Sequence, residues 1–105
     1  MVRVPTHRRP AHPGEVLRED FLKPYEMTQV ELAERIGVPF QRINQIVKGR
    51  RGVTPDTALR LAKVFNTSPD VWLNLQLARD LYDAMHSPVA DALEEIEPVA
   101  GASSH

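Results

Sequence analysis

Apolar residues recur along most of this chain at intervals of three and four, and no run alternates in twos as a strand would. Pro13 is placed to open a first helix, with Glu15 in its first turn, where the positive end of the backbone dipole favours an acid. Val16, Leu17, Phe21 and Leu22 follow at helical spacing, and Pro24 stops the helix, giving residues 13–23. Thr28 and Glu31 form the T-x-x-E pattern of a capping box, so a second helix starts there. Val30, Leu32, Ala33 and Ile36 are its expected buried stripe, and Gly37 is the residue type that ends helices in a left-handed turn. Pro39 is expected near the first position of a third helix, with Ile43, Ile46 and Val47 inward and Gly49 at its end. Pro55 begins a fourth, buried through Ala58, Leu59, Leu61, Ala62 and Phe65. After the loop Asn66, Thr67 and Ser68, with Ser68 or Thr67 as cap, Pro69 opens a fifth that runs to about Met85.

The ends lack this period. Residues 1–12, with Pro5, Pro10, Arg3, Arg8 and Arg9, read as a flexible basic arm, and residues 13–86 as the folded domain. Residues 87–105 read as an acidic tail, disordered at first reading, in which residues 89–96 are able to form a short amphipathic helix. The 105 residues suffice for one modest core, built mainly from Leu, Val, Ile and Ala because only 6% are aromatic. There is no run of eighteen apolar residues and no apolar stretch behind the basic N-terminus, so neither a membrane span nor a secretory signal is expected. The absence of cysteine excludes disulfides and thiolate metal sites, and fits a cytoplasmic location.

The formal net charge of −1 hides an asymmetry. Residues 1–63 carry twelve Lys/Arg against seven Asp/Glu, a balance of +5; residues 64–105 carry one against seven, a balance of −6. Within residues 35–55 there is no acid at all, while Arg35, Arg42, Lys48, Arg50 and Arg51 all lie there. A basic front and an acidic back suggest two kinds of partner.

Two helices joined by a tight glycine turn, the second basic and polar on its outer face, make a helix-turn-helix. Ala33 is small where the two must pack closely, Gly37 permits the turn and Val38 can plug beneath it. With Ile43 and Ile46 pinned to the core, Phe40, Gln41, Arg42, Asn44, Gln45 and Lys48 point elsewhere. Gln and Asn can bond bidentately to adenine, and Arg to guanine, in a major groove. A polar helix face alone is usually just solvated. Here the cap, small residue, glycine turn, apolar plugs and basic loop fall in one register, which favours double-stranded DNA as the partner.

The segment TQVELAERIGVPFQRINQIVKGRRGVTPDTALRLAKVFNTSPDVWLNLQ resembles the helix-turn-helix domain of lambda-repressor-like regulators, and in particular the HigA family of antitoxins. HPGEVLREDFLKP before the motif, RGVTPDTALRLA after it and WLNLQ in the fifth helix are the narrower signals. The resemblance implies an all-α, five-helix lambda-repressor-like domain with flexible N-terminal arm and C-terminal tail. It also implies an antitoxin that binds a HigB-like, mRNA-cleaving ribonuclease toxin and, as a dimer, represses its own operon from operator DNA. By that resemblance Gln29 touches a phosphate with Thr28 beside it, Pro39, Phe40, Gln41 and Gln45 lie at base edges, and Lys48 and Arg50 grip the backbone, with Arg51 adjoining. Pro39 stands where related domains often carry Ser or Thr, so a hydroxyl–phosphate bond is missing. Phe40 replaces a polar residue, and either meets a thymine methyl or packs back on the turn. These two departures keep open a protein-only inhibitor without DNA binding; a stand-alone repressor without a toxin is the other alternative.

The fifth helix is more apolar than one buried face requires. Val71, Leu75, Ala78, Tyr82 and Met85 form one stripe, and Leu73, Leu77, Leu81 and Ala84 a second. One stripe is expected on the core and the second in a homodimer seam, since paired half-sites need paired recognition helices. Trp72 is expected as a core or interface anchor. For a toxin that grips RNA and is therefore basic, the candidate contacts are Glu15, Glu19, Asp20 and Glu26, or the tail acids Asp91, Glu94, Glu95 and Glu97. Four scattered histidines at 7, 12, 86 and 105 suggest no metal site, and no cofactor or catalytic group is expected.

Overall fold

The computed structural model describes residues 8–100; Arg3 of the basic arm and the last five residues of the tail lie outside that range. Six helices follow one another: α1 (Pro13–Val16, continuing as a π-helical stretch, Leu17–Leu22), α2 (Gln29–Ile36), α3 (Phe40–Val47), α4 (Pro55–Phe65), α5 (Pro69–Met85) and α6 (Val89–Glu94).

Most boundaries have a local cause. Pro13 occupies the first turn of α1, and its cap is His12, whose Nδ1 accepts the Gly14 N–H at 2.9 Å. Thr28 and Glu31 close the expected capping box, with Glu31 N–H donating to Thr28 Oγ1 at 3.0 Å and Thr28 N–H to Glu31 Oε1 at 3.2 Å. Gly37 ends α2 at φ 72°, a left-handed position that is nearly free of strain only for glycine. Pro39 is the cap of α3 rather than its first helical residue, and offers no side-chain oxygen to the exposed amides. Thr54 caps α4. Ser68, not Thr67, caps α5, because Thr67 Oγ1 is taken by the Trp72 indole N–H at 3.0 Å.

The core lies between the helices. Leu17, Leu32, Ile43, Ile46, Leu61 and Trp72 are completely buried, and each such aliphatic side chain contributes about 1.5–3 kcal/mol. The exposed ion pairs, worth about 0–1 kcal/mol each, are minor beside that. The wider winding of residues 17–22 aligns positions five apart. It therefore turns both Leu17 and Leu22 inward and sets Phe21 against Phe65 and Trp72, with ring centroids at 4.7 and 5.1 Å.

α1 crosses α3 so closely that a Cβ on Gly14 would stand 1.7 Å from the Ile46 carbonyl oxygen. Val38 is the buried plug expected under the turn, and Val53 fills the same role after α3. Four expected core residues are not in it: Val30 and Leu59 are 50% and 61% exposed, each lying outside the buried stripe of its own helix, and Val71 and Met85 of the α5 stripe expected on the core are 42% and 52% exposed. The tail departs from the expected disorder over Val89–Glu94, where α6 forms behind Pro88 and packs on α5. All of its residues but Ala90 are exposed.

Candidate nucleic-acid interface

α2 and α3 meet through the Gly37–Val38–Pro39 turn, and their outer faces are tied side chain to side chain. Asn44 Nδ2 donates to Gln29 Oε1 at 3.0 Å. Asn44 is thereby held against α2 instead of projecting outward as the sequence led us to expect. Arg42 also turns aside, reaching Asp56 Oδ2 at 3.3 Å at the start of α4. The same carboxylate receives Arg60 Nε, whose guanidinium goes on to donate to the Ile36 carbonyl at 2.6 Å. One acid thus restrains an arginine of α3 and a second that satisfies the C-terminal end of α2.

What remains outward on α3 is Gln41 and Gln45, both exposed, Phe40 at 41% exposure, and Lys48 at the C-terminal cap. Thr28 is exposed beside Gln29, its hydroxyl oxygen accepting the cap bond. Beyond α3, Gly49 takes φ 73°, and the amides of Arg50 and Arg51 both donate to the Gln45 carbonyl, at 2.8 and 3.2 Å. The two arginines therefore sit exposed on a turn folded back on the helix. No acidic side chain interrupts the stretch.

That turn has a support the sequence did not reveal. Gln76 of α5 accepts the Val53 N–H at 2.8 Å and donates to Asp80 at 2.9 Å, and it lies against Gly52. Gln76 is one of several polar residues of α5, with Asn74, Arg79, Asp80 and Asp83, and only a knowledge of the chain packed across from it could have singled it out.

The N-terminal segment is also tied to α5. Arg9 forms a double hydrogen bond with Asp83 at 2.8 and 2.9 Å, and Arg79 donates to the Pro10 carbonyl at 3.0 Å. Arg9, read from the sequence as part of a flexible basic arm, is thus engaged within the chain. Its contact holds the Asp83 carboxyl below the usual carboxylate range. Burial, with the Arg79 charge nearby, pushes the His12 imidazole down, in keeping with its role as an acceptor cap.

The second stripe of α5 divides. Leu73 is half-buried and packs on the core, whereas Leu77 and Leu81 are 46% and 38% exposed and Ala84 is exposed. Glu15, Glu19, Asp20 and Glu26 are all exposed. They are not equivalent: Glu19 is paired with Lys23 at 2.6 Å and Arg18 at 3.4 Å, which lowers its carboxyl pKa, and Glu26 sits at φ 51° in the link to α2. Among the described residues no group of three or more His, Asp or Glu stands together in a way that could hold a metal ion, and no helix is long and apolar enough to cross a membrane.

Residues 19–72 match the protein family HTH_3, Helix-turn-helix. The chain is 50% identical over 70 residues to virulence-associated protein I of Dichelobacter nodosus, covering 67% of this chain and 65% of that one, so it spans just under two thirds of that relative. It is 40% identical over 79 residues to antitoxin HigA-1 of Vibrio cholerae, covering 74% and 73%. Among solved structures, the antitoxin HigA of Pseudomonas aeruginosa with the higBA promoter superposes with a TM-score of 0.81 at 38% identity, over 87% of this chain and 99% of that one. The antitoxin GraA in complex with its operator gives 0.82 at 36% identity, over 94% and 100%.

Proposed function

The chain belongs to the HigA family of helix-turn-helix antitoxins, and on that premise we propose that it is an autoregulating antitoxin. It binds operator DNA as a dimer, represses its own operon and neutralises a HigB-like ribonuclease. The observation that carries the DNA-binding part is the outer face of α3: Gln41 and Gln45 exposed, Lys48, Arg50 and Arg51 beyond them, and no carboxylate within residues 35–55. α3 enters the major groove, where the two glutamines read base edges and Phe40 meets a thymine methyl. Thr28, Gln29, Lys48, Arg50 and Arg51 take the phosphates. Asn44 acts from behind, by holding Gln29, and Arg42 reaches DNA only by leaving Asp56.

Leu77, Leu81 and Ala84, with the edge of Leu73, form the dimer seam on α5. The acids of α1 face the basic surface expected of an enzyme that grips RNA.

The test is a titration of the purified protein against DNA from immediately upstream of its own gene and against scrambled DNA, at two salt concentrations. Tight, selective and salt-sensitive binding supports the reading. Equal binding to both DNAs at both salts would leave an inhibitor that works through protein contacts alone. Co-purification with the product of a small basic reading frame beside the gene tests the toxin arm.

A further inference from the structure

A groove of about 630 Å³ runs between the last turn of α2 and the outer side of α4, away from the residues assigned to DNA. Asp56, Leu59, Arg60 and Lys63 line it from one stripe of α4, Asp56 also holding Arg42 of α3, with Val64 beside them and Arg35 and Ile36 across on α2. Its floor is apolar, and Leu59 is left 61% exposed. Its rim is cationic: Arg60 is matched by Asp56, but Arg35 and Lys63 enter no ion pair among the described residues.

The opposite pattern stands on the tail of the same chain. α6 and the residues after it present Val89, Leu93 and Ile96 at helical spacing, all more than half exposed, with Asp91, Glu94, Glu95 and Glu97 around them and no cation within residues 87–100. α6 packs on the end of α5, a helix whose 17 residues span about 25 Å. The described chain is accordingly drawn out to 54 Å along one axis and 23 Å along the others.

We propose that the acidic, apolar α6 segment of one copy docks in the α2–α4 groove of a second copy. Leu93 and Ile96 cover Leu59 and Val64, and the glutamates meet Arg35 and Lys63. This contact answers the charge asymmetry of the chain: the acid-rich back of one molecule matches a basic surface that the DNA face does not use. It is separate from the α5 seam and does not depend on DNA binding.

The chain has no cysteine, so introduced thiols report only on the chosen pair. Full-length Lys63→Cys and Glu94→Cys, prepared separately, mixed and mildly oxidised, are expected to give the mixed disulfide as the main cross-linked species. Its yield should fall several-fold in 1 M salt, where the screening length is about 3 Å, and also when Leu59→Asp is added to the Lys63→Cys chain. Hydrogen exchange of the α6 amides in the unmodified protein should slow as concentration rises, and Leu59→Asp should remove that dependence.

Three results would overturn the proposal. One is a mixed disulfide no more abundant with Lys63→Cys than with Asn74→Cys on α5, which would put the tail on the α5 seam. The second is a Lys63→Cys/Glu94→Cys double variant that closes within one molecule at high dilution while the mixed single variants fail to pair. The third is α6 exchange that does not change with concentration.

Discussion

The side-chain amide of Asn44, in α3, donates to the side-chain oxygen of Gln29, in α2, at 3.0 Å. The bond ties the first residue of one helix to the middle of the next, so a residue assigned to phosphate is positioned by one expected to read bases. Substituting either by Ala should weaken operator binding, and a double-mutant cycle should show them coupled by about 0.5–3 kcal/mol. Calorimetry of the two single variants and the double variant on operator DNA is the measurement. Additive losses would mean that the pair is structural only.

The side chains of Gln41 and Gln45 are exposed and enter no hydrogen bond among the described residues, although the Gln45 backbone carbonyl accepts from Arg50 and Arg51. Gln41→Ala or Gln45→Ala should cost about 1–3 kcal/mol on the operator and little on random DNA. Equal losses on the two DNAs would refute base reading.

Lys48 and Arg50 should behave differently, as point charges near the backbone. Lys48→Ala or Arg50→Ala should weaken binding to all DNA alike and reduce the slope of log affinity against log salt by roughly one unit. A slope unchanged from the parent would remove the residue from the phosphate contacts.

Leu77, 46% exposed on α5, carries the dimer prediction. Leu77→Asp should yield monomers by light scattering without loss of helicity, because the side chain is not in the core of its own chain. A surviving dimer would assign that face elsewhere.

Gly14 makes a prediction about stability. A methyl group there has no room, since its carbon would fall 1.7 Å from the Ile46 carbonyl oxygen, part of the backbone of α3. Gly14→Ala should therefore force α1 away from α3 and cost about 1–3 kcal/mol or more. Thermal unfolding should show the drop, and an unchanged midpoint would mean that the two helices separate freely.

The starts and stops of the helices were legible in the chain itself, and so was the basic stretch around α3. Thr28 with Glu31, Gly37, and Ser68 before Pro69 act on amides and carbonyls a few residues away, so their effect needs no knowledge of the rest of the molecule. The same holds for the plugs Val38, Ile43 and Ile46, whose spacing alone marks an inner face.

What packing decided lies between helices. The π winding that turns Leu17 and Leu22 inward, the contact of Gly14 with Ile46, the bond from Asn44 to Gln29, the diversion of Arg42 to Asp56 and the grip of Gln76 on Val53 all join residues brought together only by the fold. Val30 and Leu59 show the same limit from the other side. A helical period says that a stripe is apolar, but only a neighbouring helix can bury it, and none covers these two. Order in α6 belongs here as well, since a segment of six residues is too short to hold a helix by propensity and needs α5 to rest upon.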